Sequence, residues 1–349
     1  MGAGKSVDLQ VSFNRSNRFY FTGEQVSGNI SINNTYEKLK CNEIFIELIG
    51  ELGETQDKDK TKTHSNGEST ELNHRPDHSI KFLIIRLPLA ESDHVKSQMV
   101  LSRGHYTWPF EFTLPEFLPP STEPNLTVYP YIRYFIRVVV DKPWYKLSQT
   151  EAFGFTVCPH VDLSHMNSAQ QTLHFNKQNR RQLQLEGYLL SSGIIPGQSF
   201  SLEIKFQNPE RIKIKRIEIA FIQHRSTVMN NHKEVIFVAD LPGFHEFDGA
   251  SLQETFEFPL PRGYIAPTYF FETFWHHQPY PFVIKYELIL TIKYHGFFTN
   301  FEVSVPVIVG TESNYENQIQ EEYDDQNTNQ TVDELEPPPP SYESVVNTE

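Results

Sequence analysis

The residues with the sharpest chemical meaning lie in one stretch, Glu336-Pro337-Pro338-Pro339-Pro340-Ser341-Tyr342. Four consecutive prolines hold an extended polyproline II helix with little entropy left to lose on binding. Pro339, Pro340, Ser341 and Tyr342 read as PPxY, a peptide type gripped by WW domains. An aromatic-lined groove takes the proline rings and a second pocket takes the tyrosine ring. The blander reading is a proline-rich spacer, and the offset of the tyrosine favours the ligand. A second constellation is basic: Lys205, Arg211, Lys213, Lys215 and Arg216 gather around what reads as one hairpin. That is either a solvated strand face or a contact for phosphorylated tails or anionic lipid. A third is Met1-Gly2-Ala3-Gly4-Lys5-Ser6, which fits the myristoylation pattern with the acyl group on Gly2. The same letters resemble the end of a P-loop but lack its earlier glycine and its preceding strand.

No catalytic constellation emerges, and the expectation is a non-enzyme without metal or cofactor. On a strand, the adjacent His276 and His277 point to opposite faces and do not readily share a metal. His64, His74 and His78 fall in a polar stretch without cysteine partners and read as solvated loop residues. Cys158-Pro159-His160 lacks the further ligands of a zinc site. No nucleophile sits in an elbow or beside a base. Cys41 and Cys158 are too few for a disulfide scaffold and lie in apolar stretches, so buried, reduced thiols are expected.

The elements that must position these residues are set by length and charge. A chain of 349 residues accommodates two domains. Formal net charge is −14, and eleven acidic residues with no Lys or Arg fall between Gly310 and Glu349, which leaves −3 for everything before. An acidic segment without a core pattern is expected to stay solvated and disordered. No basic stripe argues for nucleic acid. No apolar run reaches transmembrane length and no signal-peptide core is present.

Alternating apolar residues mark strands at Val7 to Phe13, Val26 to Ile32, Ile44 to Leu48, Ile80 to Leu87, Tyr106 to Leu114, Tyr131 to Val140 and Phe153 to Val157. The order then repeats. Gly23, Ile30 and Asn34 return as Gly197, Ile204 and Asn208, each 174 residues on. Ile44, Ile46 and Leu48 answer Ile217, Ile219 and Phe221. Phe110 to Pro115 returns as Phe256 to Pro261, and Tyr134 answers Tyr286. The offset drops by 28 between these anchors, the length of the polar stretch 51–78, which reads as an insertion in the first copy. About seven short strands per copy, with proline at their edges, indicate two antiparallel sandwiches. The expected organisation is a first domain at 7–158, a linker at 159–182 with room for a short helical turn, a second domain at 183–309, and an acidic tail at 310–349.

The stretch Gly104-His105-Tyr106-Thr107-Trp108-Pro109-Phe110-Glu111-Phe112-Thr113-Leu114-Pro115, followed by Leu118-Pro119-Pro120-Ser121, resembles the N-domain signature of the α-arrestins, the arrestin-domain-containing proteins. Phe13 to Ile32 and Gly187 to Asn208 are similar to that family's opening strands of each domain. The resemblance covers residues 7 to 309, and the PPxY tail completes it. It implies an all-β protein of two tandem immunoglobulin-like, arrestin-type sandwiches. It also implies a cytoplasmic adaptor, recruited to plasma membrane and endosomes, that links membrane receptor or transporter cargo to WW-domain, HECT-type ubiquitin ligases and so promotes ubiquitination, endocytosis and sorting. One PPxY stands where many members carry two, which removes avidity from ligase binding. The alternative is a structural coat or sorting subunit of the retromer type, which also uses an arrestin-like body and has no need of a PPxY ligand.

Overall fold

The computed structural model describes residues 7–55, 78–91, 99–122, 128–143, 148–295 and 301–312. In the first half, eight strands follow one another: β1 (Val7–Phe13), β2 (Phe19–Phe21), β3 (Gln25–Cys41), β4 (Glu43–Glu54), β5 (His78–Glu91), β6 (Met99–Thr113), β7 (Tyr131–Asp141) and β8 (Gln149–Cys158). They form two sheets, β1-β3-β6 and β2-β8-β7-β4-β5. The alternation read from the sequence decides the faces. Val7, Leu9 and Val11 of β1 and Ile44, Ile46 and Leu48 of β4 are buried between the sheets, each side chain standing perpendicular to its own sheet.

Ten strands follow: β9 (Leu173–Gln178), β10 (Gln184–Leu189), β11 (Gly193–Ile194), β12 (Ser199–Gln207), β13 (Ile214–Ser226), β14 (Asn231–Asp240), β15 (Ser251–Pro259), β16 (Tyr269–Trp275), β17 (Gln278–Tyr294) and β18 (Phe301–Val309). Their sheets run β9-β10-β12-β15 and β11-β18-β17-β13-β14, with β16 added on β17. Strand for strand, β10-β12-β15 reproduces β1-β3-β6, and β11-β18-β17-β13-β14 reproduces β2-β8-β7-β4-β5. The correspondence reaches the exceptions. The short β2 joins β8 in parallel, and the short β11 joins β18 in parallel, while every other pairing between these strands among the described residues is antiparallel. The protein is all-β, with two tandem arrestin-type sandwiches in one compact unit up to Glu312. No helix among the described residues is long and apolar enough to cross a membrane.

Four local expectations change. β4 runs on through Glu54, so residues 51–54 belong to a strand rather than to a polar insertion. Leu52 is fully buried, and Glu51 is held by Arg133 of β7. His78 likewise opens β5 instead of lying in a loop, its ring 5.1 Å from that of Trp275. His64 and His74 lie outside the described residues. The stretch 159–182 does more than link. It contains the expected short turn, a 3-10 turn at Leu163–His165 capped by the Asp162 carboxylate, and it supplies β9, which pairs with β10 along its whole length. The reason is a small apolar cluster of Val161, Leu163, Ala169 and Ile195 that fastens the crossing chain to the second sandwich. Finally, His276 and His277 are not on a strand. They form the two-residue turn of the β16–β17 hairpin, with φ of 49° and 64°; positive φ at both positions is the primed turn that matches strand twist.

Candidate functional site

The PPxY residues Pro339, Pro340, Ser341 and Tyr342, the expected disorder of the tail and the acylation pattern at Gly2 lie outside the described residues. The basic residues are described. Lys205 stands on β12, Arg211 and Lys213 on the connection between sheets, and Lys215 and Arg216 on β13 in the opposite sheet. Two of them are drawn into ion pairs: Lys213 with Glu246 at 2.8 Å, and Arg216 with Glu218 at 3.2 Å and Asp240 at 3.3 Å. They therefore straddle the edge where the chain changes sheets, and their charge is partly neutralised.

The structure assembles a different surface on the outer face of β5-β4-β7-β8. Ile84, Ile49, Phe135 and Gly154 stand directly across from one another in register and form an apolar row. Charged pairs flank it. Arg137 bonds Glu47 on one side and Arg133 bonds Glu51 on the other, with Arg86 bonding Glu43 further along. Ser79 and Tyr131 hydroxyls also donate to Glu51, at 3.0 and 3.5 Å. The acids lie low and the guanidiniums lie high: side-chain exposure is 31% for Arg133 against 4% for Glu51, and 33% for Arg137 against 12% for Glu47. The outermost charge is thus positive, although the pairs are neutral in sum. A cavity of about 690 Å³ opens at the β7–β8 end of this face, walled by Arg18, Arg133, Phe135, Ala152, Gly154 and Tyr264. Sequence reasoning missed this face. Its signal was the even spacing of Glu43, Glu47 and Glu51, and of Arg133 and Arg137, on otherwise apolar strands, which puts each set on one side of its strand.

The same cavity touches the seam between the sandwiches. Tyr264 donates to the Ser121 carbonyl at 2.7 Å, and its ring meets Phe19 edge-on. The fully buried Arg225 donates to the Thr122 carbonyl at 3.1 Å and pairs with Glu234 at 3.3 Å. Asn230 and Thr55 exchange two bonds, Thr55 N to Asn230 Oδ1 at 3.0 Å and Asn230 Nδ2 to Thr55 O at 2.8 Å. Phe82 packs on Phe271 with ring centroids 5.0 Å apart. Buried polar groups bonded this way fix one arrangement, because breaking a bond leaves a desolvated partner.

The two cysteines are not poised as nucleophiles. Both cysteines are buried and reduced. Burial pushes the Cys41 thiol up to about 11 and the Cys158 thiol up to about 12, so neither is a thiolate at neutral pH. Among the described residues no cluster of His, Cys, Asp and Glu is arranged to hold a metal.

Residues 9–164, from β1 to the turn after β8, match the family model of the arrestin (or S-antigen) N-terminal domain. Over 140 residues the chain is 31% identical to arrestin domain-containing protein 17 of Caenorhabditis elegans, an alignment covering 39% of this chain and 30% of that relative. Residues 9–164 are thus similar to an arrestin N-terminal domain, and the second sandwich repeats its topology.

Proposed function

We propose that the protein is an adaptor rather than an enzyme. In this reading the sandwiches select a membrane receptor or transporter, and Pro339, Pro340 and Tyr342 recruit a WW-domain, HECT-type ubiquitin ligase. The cargo is then ubiquitinated, internalised and sorted, with the protein moving from cytoplasm to plasma membrane and endosomes. One observation carries the reading: an arrestin N-terminal domain and a PPxY peptide occur in one chain. The division of labour follows from physics. A rigid body with a shaped face suits selection of a folded or extended partner, and an acidic proline-rich segment suits capture by a small aromatic-lined groove. We assign cargo contact to the outer face of β5-β4-β7-β8, where an apolar row lies between outward-facing guanidiniums. An acyl group on Gly2 would add only marginal membrane affinity by itself, so stable recruitment would rest on cargo or on the basic residues around Lys205 and Lys215.

The test is capture by isolated WW domains, wild type against Tyr342→Ala. Capture of the wild type and loss in the variant support the adaptor. Equal capture of both, or of neither, sinks it and favours the coat-subunit reading.

A further inference from the structure

Glu54 ends β4 at the place where the first sandwich meets the second. It is 0% exposed, and neither carboxyl oxygen has a hydrogen-bond partner among the described residues. Each element packed around it contributes a nameable group. His78 of β5 stands directly across from it in register. Thr227, in the β13–β14 connection, and Tyr280, on β17, present hydroxyls towards it but stand outside hydrogen-bond geometry, and the Tyr280 hydroxyl has no partner either. Tyr280 meets Trp275 edge-on at 5.4 Å, and Trp275 leans on His78 at 5.1 Å, which closes a ring of contacts across the seam. The next residue, Thr55, exchanges the two hydrogen bonds with Asn230. Among the described residues no Lys or Arg faces the carboxyl, so an anion here would be buried with at most two hydroxyls to answer it, whereas the neutral acid fits at small cost.

We propose that Glu54 makes the joint between the two sandwiches proton-sensitive: the seam closes tightly around the neutral acid and loosens once the carboxyl ionises. The direction follows from linkage. Burial raises this acid from 4.5 to about 7 in the closed state. The closed seam therefore holds the proton more tightly than an open, hydrated one. Its stability is fully present below about 4.5, falls by up to tenfold per pH unit as pH rises to about 7, and levels off above. What loosens is local. The bonds nearest the carboxyl, Thr55 to Asn230, are the ones that must part to let water reach it.

Amide exchange on the full-length protein tests this, as protection factors corrected for intrinsic rate. Peptides covering residues 49–55 and 226–232 should lose protection by roughly twentyfold between pH 5.5 and 7.5. Strand β18, remote from the seam, should not change. In Glu54→Gln and, independently, Glu54→Met the seam peptides should vary less than threefold over the same range. Two variants are needed because the amide of Gln could disturb packing that Met tolerates. A wild-type seam that is flat with pH overturns the proposal. So does a slope that survives in both variants.

Discussion

Asn34 and Asn208 occupy corresponding positions in the two sandwiches, and each side chain both donates to and accepts from the backbone. Asn34 is 1% exposed. Its amide donates to the carbonyls of Tyr36, Leu101 and Ser102, and its Oδ1 accepts from Tyr36 N at 3.0 Å. Asn208 is 0% exposed. Its amide donates to the carbonyls of Ile212 and Gly249, and its Oδ1 accepts from Ile212 N at 2.9 Å. Asn34 pins the irregular middle of β3 to β6, and Asn208 pins the end of β12 to the connection that follows and to the segment leading into β15. Only a side chain with both donor and acceptor at that length does this.

Replacing either asparagine by alanine strands several buried backbone groups at once. Each substitution is expected to cost about 2–4 kcal/mol. The two sites sit in different sandwiches and share no partner, so the double variant should lose close to the sum. Denaturant unfolding of the two singles and the double checks both claims. A cost below about 1 kcal/mol for either would refute the staple.

The duplication was legible because certain positions are demanded by local geometry. Gly23 and Gly197 turn into β3 and β12 with φ of 82° and 86°, a conformation that costs other residues strain. Tyr134 and Tyr286, on β7 and β17, both carry their hydroxyls to carbonyls of the proline-rich corners, Pro119 and Ala266. Side chains that satisfy a local requirement leave a mark at a fixed sequence offset. The seam left none. Thr55 and Asn230 are 175 residues apart, and Glu54 in a run of Glu and Gly reads as the start of a polar loop. Its burial comes from a second domain packing on the strand end, which no short-range pattern encodes. The basic cluster was only half legible for the opposite reason. Its residues are neighbours in sequence but divide between two sheets, and acids far along the chain meet two of them.

The thiols give a second prediction. With Cys41 and Cys158 both buried and pushed up to about 11 and about 12, an alkylating reagent has neither access nor thiolate. The native protein at pH 8 should show no modification over the time in which the denatured chain is modified at both positions. Mass spectrometry reads this directly. Rapid native labelling of either cysteine would contradict the burial.

The outer face of the first sandwich gives a third. A side-chain atom built at Gly154 meets nothing closer than the Tyr134 carbonyl at 3.8 Å, so a larger residue points into open space above the apolar row. Gly154→Trp should fold with a stability change within about 0.5 kcal/mol, as surface substitutions do. Cargo capture by the body should fall at least about tenfold, and WW-domain capture should be unchanged. The arginines are poorer probes. Arg133→Ala would strand the low-lying Glu51 and cost about 3 kcal/mol, so lost binding there would be confounded with lost stability. Undiminished cargo capture by Gly154→Trp would remove this face from the reading.

The last prediction separates body from tail. Tyr342→Ala removes the ring that would fill one pocket of a WW domain. Truncating such an aromatic anchor costs about 2 kcal/mol, which lowers affinity about 30-fold. Phosphorylation of Tyr342 should weaken binding similarly by placing a dianionic group in an apolar pocket. Neither change touches the sandwiches, so cargo capture should persist and the variant should act as a dominant negative: it occupies cargo and brings no ligase. The reach of the tail sets how that ligase would work. About thirty extended residues can span on the order of 100 Å, enough for a tethered enzyme to search the cytosolic face of the cargo for lysines. The measurement is cargo ubiquitination and surface level in cells expressing wild type, Tyr342→Ala and Gly154→Trp. Tyr342→Ala should abolish ubiquitination while retaining cargo in a pull-down, and Gly154→Trp should abolish it while retaining the ligase. Normal ubiquitination with Tyr342→Ala would show that the tail does not recruit the ligase, and with it the adaptor reading would fall.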